Sequence, residues 1–181
     1  MKPTFLLSCL ASGLLALPSV GASPPNLLFI IADDCTYLDM QVYGGQAKTP
    51  NLNKLAAEGL KFTRCFQTAP MCSPTRHNIY TGLYPVKSGA WPNHTRVYPG
   101  TKSIAHYLQE AGYAVHLSGK THINPKESFP FEYSNEFKTA DPAKPDSYPE
   151  IEKLFAAATG KEGAAKPFCL FACSNEPHSP Y

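Results

Sequence analysis

Four short polar clusters carry the side chains able to do chemistry. Asp33-Asp34 is a carboxylate pair with no sequence-adjacent cation, set at the end of an apolar run. Two like charges placed there repel and lose solvation, costs that a hard divalent cation such as Ca²⁺ or Mg²⁺ would relieve. The alternative is a solvated turn, where Asp is common. Met71-Cys72-Ser73-Pro74-Thr75-Arg76 sets a thiol just before a proline able to open a helix, with a guanidinium close by. A helix N-terminus beside an Arg favours an anion, either the Cys72 thiolate or a bound oxyanion. A buried structural cysteine is the commoner fate of a free thiol. A phosphatase-type loop is disfavoured, because no glycine lies between Cys72 and Arg76 to build an anion cradle. Lys120 and His122, two apart, point the same way on an extended segment. They pair an anion-binding ammonium with a proton-shuttling imidazole. His178 lies in Pro177-His178-Ser179-Pro180, where the prolines stiffen its backbone. His77, His94, His106 and His116 have weaker contexts, and His106 and His116, inside a predicted helix and strand, are assigned no role.

These clusters need elements to bring them together. Asn26 to Ala32 (NLLFIIA) is a continuous apolar run, as expected of a strand buried on both faces. Thr49-Pro50 reads as an N-cap followed by Pro at the first helical position, with Leu52, Leu55 and Ala56 as the apolar stripe and Gly59 as the stop. Leu60 to Phe66 reads as a strand. Pro74 opens a second helix running to Gly82, and Thr101 to Ala111 gives a third. Tyr113 to Ser118 and Pro167 to Cys173 read as strands, and Ile151 to Ala158 as a helix. Asn124 to Pro149, rich in Pro, Ser, Lys and aromatics, reads as a long surface insertion and a candidate cleft wall.

Strands alternating with helices predict an α/β layered fold with a largely parallel sheet. Asp33-Asp34, Lys120 to His122 and Asn175 to His178 each follow a predicted strand, and Cys72 precedes a predicted helix. Ligands of such sheets sit outside the carboxyl ends of the strands, so all four clusters are expected on one edge.

Composition bounds the partners. The 181 residues are 43% hydrophobic and 17% charged, with net charge +2 and no block of like charges. That describes a globular chain and argues against nucleic acid or an anionic membrane surface. Lys2, the apolar stretch Phe5 to Leu17 and the small residues Val20-Gly21-Ala22 have the form of a signal peptide over residues 1–22. The apolar stretch is short for a membrane span, so no span is expected after cleavage. The expected location is outside the cytoplasm: periplasmic, secreted or in a lysosome-like lumen. Of six cysteines, Cys35, Cys65, Cys72, Cys169 and Cys173 remain after cleavage, with no zinc-type spacing. If Cys72 is chemically special, the other four either pair or stay buried and reduced. Asn93-His94-Thr95 is a glycosylation sequon, useful only in a eukaryotic secretory pathway.

Cys72-Ser73-Pro74-Thr75-Arg76 resembles the Cys-x-Pro-x-Arg core of the type I sulfatases, with Thr81-Gly82 continuing their signature. The resemblance extends to LLFIIADD (27–34), TPNLNKLAAEGLKFT (49–63), GKTH (119–122) and NEPHSP (175–180), in the family's order. Thr75 stands where the family usually has Ser, and both carry a hydroxyl. GKTHINPKESFPFEY also resembles the heparan N-sulfatase branch.

The resemblance implies an α/β/α sandwich of the alkaline phosphatase-like kind, of which residues 23–181 would be an N-terminal part of the catalytic domain. It implies that Cys72 is oxidised to formylglycine by a formylglycine-generating enzyme. One hydroxyl of the hydrated aldehyde would attack sulfur, giving a covalent sulfate ester, and deprotonation of the other would eject sulfate. Asp33 and Asp34 would bind Ca²⁺, with formylglycine at position 72 as a further ligand and Mg²⁺ as the other candidate. Arg76 would hold the formylglycine, and Lys120 would contact sulfate and diol. His122 would be the base that collapses the intermediate, and His178 would bind sulfate and protonate the leaving group. The family's further metal pair and second active-site Lys lie downstream of the positions present here, so the sequence reads as truncated. The expected activity is hydrolysis of sulfuric esters or sulfamates of sulfated glycans, with N-sulfoglucosamine the first candidate. The alternatives are a phosphonate or phosphodiester hydrolase of the same superfamily, a non-catalytic glycan-binding relative, and a cysteine-nucleophile enzyme.

Overall fold

The structure is a computed structural model and describes residues 24–133, 141–158 and 166–179. The predicted signal peptide lies outside the described residues, as do residues 134–140 of the predicted insertion. Four strands, β1 (Leu27–Ile31), β2 (Ala114–Gly119), β3 (Glu132–Tyr133) and β4 (Phe168–Cys173), form one sheet in the order β1-β4-β2-β3. Every pairing is parallel. The predicted α/β class with a parallel sheet is therefore what forms.

The helices are α1 (Pro50–Glu58), α2 (Cys72–Thr81), α3 (Pro85–Ser88), α4 (Ile104–Glu110) and α5 (Tyr148–Ala158). Pro50 opens α1 and Gly59 ends it, as the sequence predicts. Helix α2 starts at Cys72, two residues before the expected proline, and ends at Gly82 in the left-handed region that glycine tolerates. Ser103 and His106 form a reciprocal capping box at the start of α4, so His106 has a structural use.

The core lies where α2 crosses the sheet. Tyr80 meets Phe171 at 5.1 Å and Phe131 at 5.2 Å, both edge-on, and Phe131 meets Phe171 at 5.5 Å. Strand β4, central in the sheet, is buried at all six positions. His77 on α2 is fully buried. Its Nδ1 donates to the Ser73 carbonyl at 2.7 Å, and its Nε2 accepts from the Asn124 N–H at 3.0 Å. This ring pins α2 to the segment after β2, and burial lowers its pKa below 6.5.

A His whose folded pKa is lowered contributes stability that is complete above the unfolded value, near 6.5, and is lost as pH falls below it. His77→Gln is expected to destabilise the full-length protein by about 1–3 kcal/mol at pH 7.5. Urea titrations of both proteins at pH 7.5 and 5.5 check this; the gap should narrow at the lower pH, and a gap that does not move with pH removes the neutral ring from the account.

Three expectations fail for identifiable reasons. Strand β1 was expected to be buried on both faces, yet Leu28 and Ile30 are 51% and 68% exposed. Among the described residues it lies at one edge of the sheet, paired to β4 alone, and no described element packs on that face. Leu60 to Phe66 forms no strand; it lies exposed, tethered by a bond from the Tyr43 hydroxyl to the Phe62 carbonyl. β-propensity without a neighbouring ladder does not make a strand. The predicted surface insertion, in turn, supplies core: Phe129 and Phe131 are buried, and β3 extends the sheet beyond β2.

Candidate active site

The carboxyl edge of the sheet gathers the four clusters. Three backbone bonds do it. Asp33 N–H donates to the Glu176 carbonyl at 3.1 Å, Lys120 N–H to the Cys173 carbonyl at 2.8 Å, and Ser174 N–H to the Ile31 carbonyl at 2.8 Å. The chain leaving each of β1, β2 and β4 is thus tied to its neighbour, and α2 begins against them. The expected convergence is present.

Asp33 is the hub. It is 4% exposed, and its carboxylate accepts from Arg76 Nη2 at 3.0 Å and pairs with the Lys120 ammonium. Burial alone would raise its pKa, but the bonds from Lys120 and Arg76 outweigh it and hold the group below the ordinary carboxylate range. Part of the like-charge cost expected of Asp33-Asp34 is thus met by two cations of the chain itself. Asp34 is exposed, in the left-handed region at φ 54°, and its Oδ2 lies 3.5 Å from His178 Nε2. Arg76 is 2% exposed, and its Nη1 donates to the Lys120 carbonyl at 3.0 Å.

Cys72 is the first residue of α2. Its Sγ lies 3.7 Å from Asp34 Oδ1 and 4.0 Å from Asp33 Oδ2. Burial raises the Cys72 pKa, and the Asp33 and Asp34 charges raise it further against the opposing Lys120 ammonium, a direction contrary to the thiolate that the helix terminus and Arg76 alone would favour. Thr75 spends its hydroxyl on the Ala69 carbonyl at 2.6 Å, a bond Ser would make equally.

Lys120 and His122 do not lie on an extended segment. Gly119 and His122 both have positive φ, 87° and 50°, and the two side chains part: Lys120 to Asp33, His122 to His94. The His122 pKa is lowered, first by burial, then by the charges of Lys120, His94 and Arg76. His178 joins the edge through a turn closed by its own N–H to the Asn175 carbonyl at 3.0 Å.

Three contributors went unrecognised in the sequence. Asn93 accepts from the Ser73 N–H at 3.2 Å at the start of α2, so the sequon amide is already engaged. His94 contacts His122 at 2.9 Å. Asp141, buried, accepts from Asn175 N–H at 2.8 Å and Ala143 N–H at 2.9 Å, fixing the turn that carries His178. Nothing in spacing marks Asn93 or His94; Asp141 sits in the stretch read as an insertion. All five cysteines after position 22 are free thiols, and Cys169 and Cys173 are buried.

Asp33, Asp34, Cys72 and His178 each present a ligand atom within 4.8 Å of the others. A cleft of about 370 Å³ opens beside them, lined by Asp33, Asp34, Cys72, Arg76 and Gln67 among others. Two carboxylates suit a hard cation, and oxygen in place of sulfur at position 72 would suit it further.

Comparison with known proteins follows the same lines. The family model described as Sulfatase matches residues 25–181. The ulvan-active sulfatase of Formosa agariphila is 33% identical over 159 residues, covering 87% of this chain and 31% of that protein. Arylsulfatase A of Homo sapiens is 36% identical over 138 residues, covering 70% of this chain and 26% of that protein. Among solved structures, BT4656 in complex with its substrate D-glucosamine-2-N,6-O-disulfate superposes with a TM-score of 0.68 at 27% identity, over 85% of this chain and 35% of that one. The chain spans about a third of the length of these relatives.

Proposed function

The chain belongs to the sulfatase family, and on that premise we propose that the whole protein hydrolyses sulfuric esters or sulfamates of sulfated carbohydrates, with formylglycine made from Cys72 as nucleophile. The observation that carries the reading is Cys72 itself. It heads α2 against two carboxylates that keep its thiol protonated, which is poor placement for a thiolate nucleophile. Formylglycine supplies a hydrated aldehyde with one hydroxyl to attack sulfur and a second to release the sulfate.

Asp33, Asp34 and the oxygen at position 72 would hold the metal, Ca²⁺ by preference for oxygen donors and Mg²⁺ as the other candidate, with His178 beside them. When bound, the metal offsets sulfate charge and acidifies a hydroxyl. The remaining work falls to the chain. Arg76 keeps Asp33 ionised and fixes the Lys120 backbone through its carbonyl. Lys120 brings an ammonium into the same cluster for a sulfate oxygen. His122 handles the proton of the second hydroxyl, and His178 binds sulfate and protonates the departing oxygen or nitrogen. Residues 1–22 would direct export, where a formylglycine-generating enzyme and sulfated glycans are the partners. No described helix is long and apolar enough to cross a membrane.

The test uses full-length protein from a host with the maturation enzyme. Peptide mass spectrometry should find formylglycine at position 72, and an aryl sulfate should turn over. Activity with unmodified Cys72, or turnover of an aryl phosphonate in preference to the sulfate, overturns the reading. In a sugar panel N-sulfoglucosamine is the first substrate expected; turnover of O-sulfated sugars alone discards that choice and leaves the class intact.

A further inference from the structure

A chain of hydrogen bonds outside the metal cluster runs from α2 to His122. It begins at the Ser73 backbone N–H, which can only donate, and its acceptor is Asn93 Oδ1 at 3.2 Å. That bond fixes which end of the Asn93 amide faces which way. Its NH₂ group is left 3.3 Å from His94 Nε2, so that nitrogen must accept. A neutral imidazole with a bare Nε2 carries its proton on Nδ1. His94 Nδ1 lies 2.9 Å from His122 Nε2 and therefore donates to it. His122 Nε2 is then the acceptor, and its proton sits on Nδ1, a buried atom without a partner among the described residues.

The backbone is bent to make this contact. His94 and His122 both lie at positive φ, 60° and 50°, a region open to His but costly for most side chains. Two such residues, 28 positions apart, meet ring to ring at a centroid distance of 4.6 Å.

We propose that Asn93 and His94 are positioning residues that set the tautomer of His122 through this chain, so that the resting enzyme holds His122 as the Nδ1–H form. In that form His122 carries its proton on Nδ1 and accepts from His94 at Nε2. The catalytic weight of this rests on the sulfate-hydrolysis reading, whereas the tautomer itself does not.

The experiment is a long-range ¹H–¹⁵N correlation spectrum of the full-length protein labelled with ¹⁵N-histidine, which separates the two neutral tautomers. Wild type should show His122 as Nδ1–H. Asn93→Asp keeps an acceptor for Ser73 N–H but presents a second acceptor to His94, so the direction of the chain reverses and His122 should convert to Nε2–H. A wild-type spectrum with His122 as Nε2–H overturns the proposal without any variant, and so does an unchanged tautomer in Asn93→Asp. Kinetics add a second arm. His94→Ala should lower kcat about tenfold or more with KM unchanged. His94→Asn, which tolerates positive φ and retains a donor at the same reach, should recover most of it. Equal losses in the two variants mean that His94 is only a packing residue.

Discussion

Asp33→Ala is expected to abolish hydrolysis and to destabilise the protein by roughly 3–5 kcal/mol. Two separate consequences follow from one side chain. Asp33 is the buried carboxylate facing Arg76, which is itself 2% exposed, and the Lys120 ammonium shares it. Without it the guanidinium is left charged, desolvated and short of its only described carboxylate. The proposed metal loses a donor at the same time. Asp34→Ala separates the two effects: Asp34 is exposed and touches no buried cation, so it should cost the metal and turnover while changing stability by no more than about 0.5 kcal/mol. Urea denaturation and metal stoichiometry on the two full-length variants check the pair of outcomes. Wild-type stability in Asp33→Ala would show that Arg76 finds its compensation elsewhere.

Cys72→Ala should lower turnover by roughly a million-fold while leaving the fold intact. The thiol makes only long contacts, 3.7 and 4.0 Å to the two carboxylates, and anchors nothing else. On the proposed formylglycine reading the size of the loss follows, since no other described side chain at this edge could supply two hydroxyls on one carbon. Cys72→Ser is the sharper variant. Its single hydroxyl can attack sulfur but has no second route to release the sulfate, so it should stop with sulfate trapped on the introduced oxygen. Unchanged melting curves with turnover lost in both variants, and trapped sulfate by intact mass in the second, are the expected results. Multiple turnover by either would remove position 72 from the chemistry.

What the sequence made legible follows from how local each signal is. The bounds of α1, set by Pro50 and Gly59, and the apolar runs of β1, β2 and β4 depend on neighbours in sequence, and these elements form where expected, although the Thr49 side chain makes no cap bond. The convergence of Asp33, Cys72, Lys120 and His178 was legible because a parallel sheet sends every strand's carboxyl end to one edge. The exposure of Leu28 and Ile30 was not, because an apolar run records what a strand can bury rather than what covers it. Phe129 and Phe131 were misread for the opposite reason: a Pro-rich stretch looks like surface until a tertiary partner, here Tyr80 and Phe171, is known. Asn93 and His94 act through contacts that no periodicity encodes. The upward shift at Cys72 was not legible, because in the sequence the helix terminus and Arg76 stand without Asp33, which claims the guanidinium and opposes a second anion.

If Cys72 is converted to formylglycine as proposed, the burial of the first turn of α2 sets an order in time. Ser73, Pro74, Thr75 and Arg76 are all buried once the fold is complete. An enzyme that recognises Cys72 by the Pro and Arg that follow it cannot read them there. Closure, moreover, is late: among the described residues β1 has β4 as its one strand partner, and the bond from Phe168 N–H to Asn26 spans 142 positions. Loops of that length close slowly. Between synthesis of the Cys72 segment and arrival of β4 there is an interval in which the motif is still open chain. On that reading maturation would belong to that interval, and a change that hastened closure of the sheet should leave more of the protein unconverted.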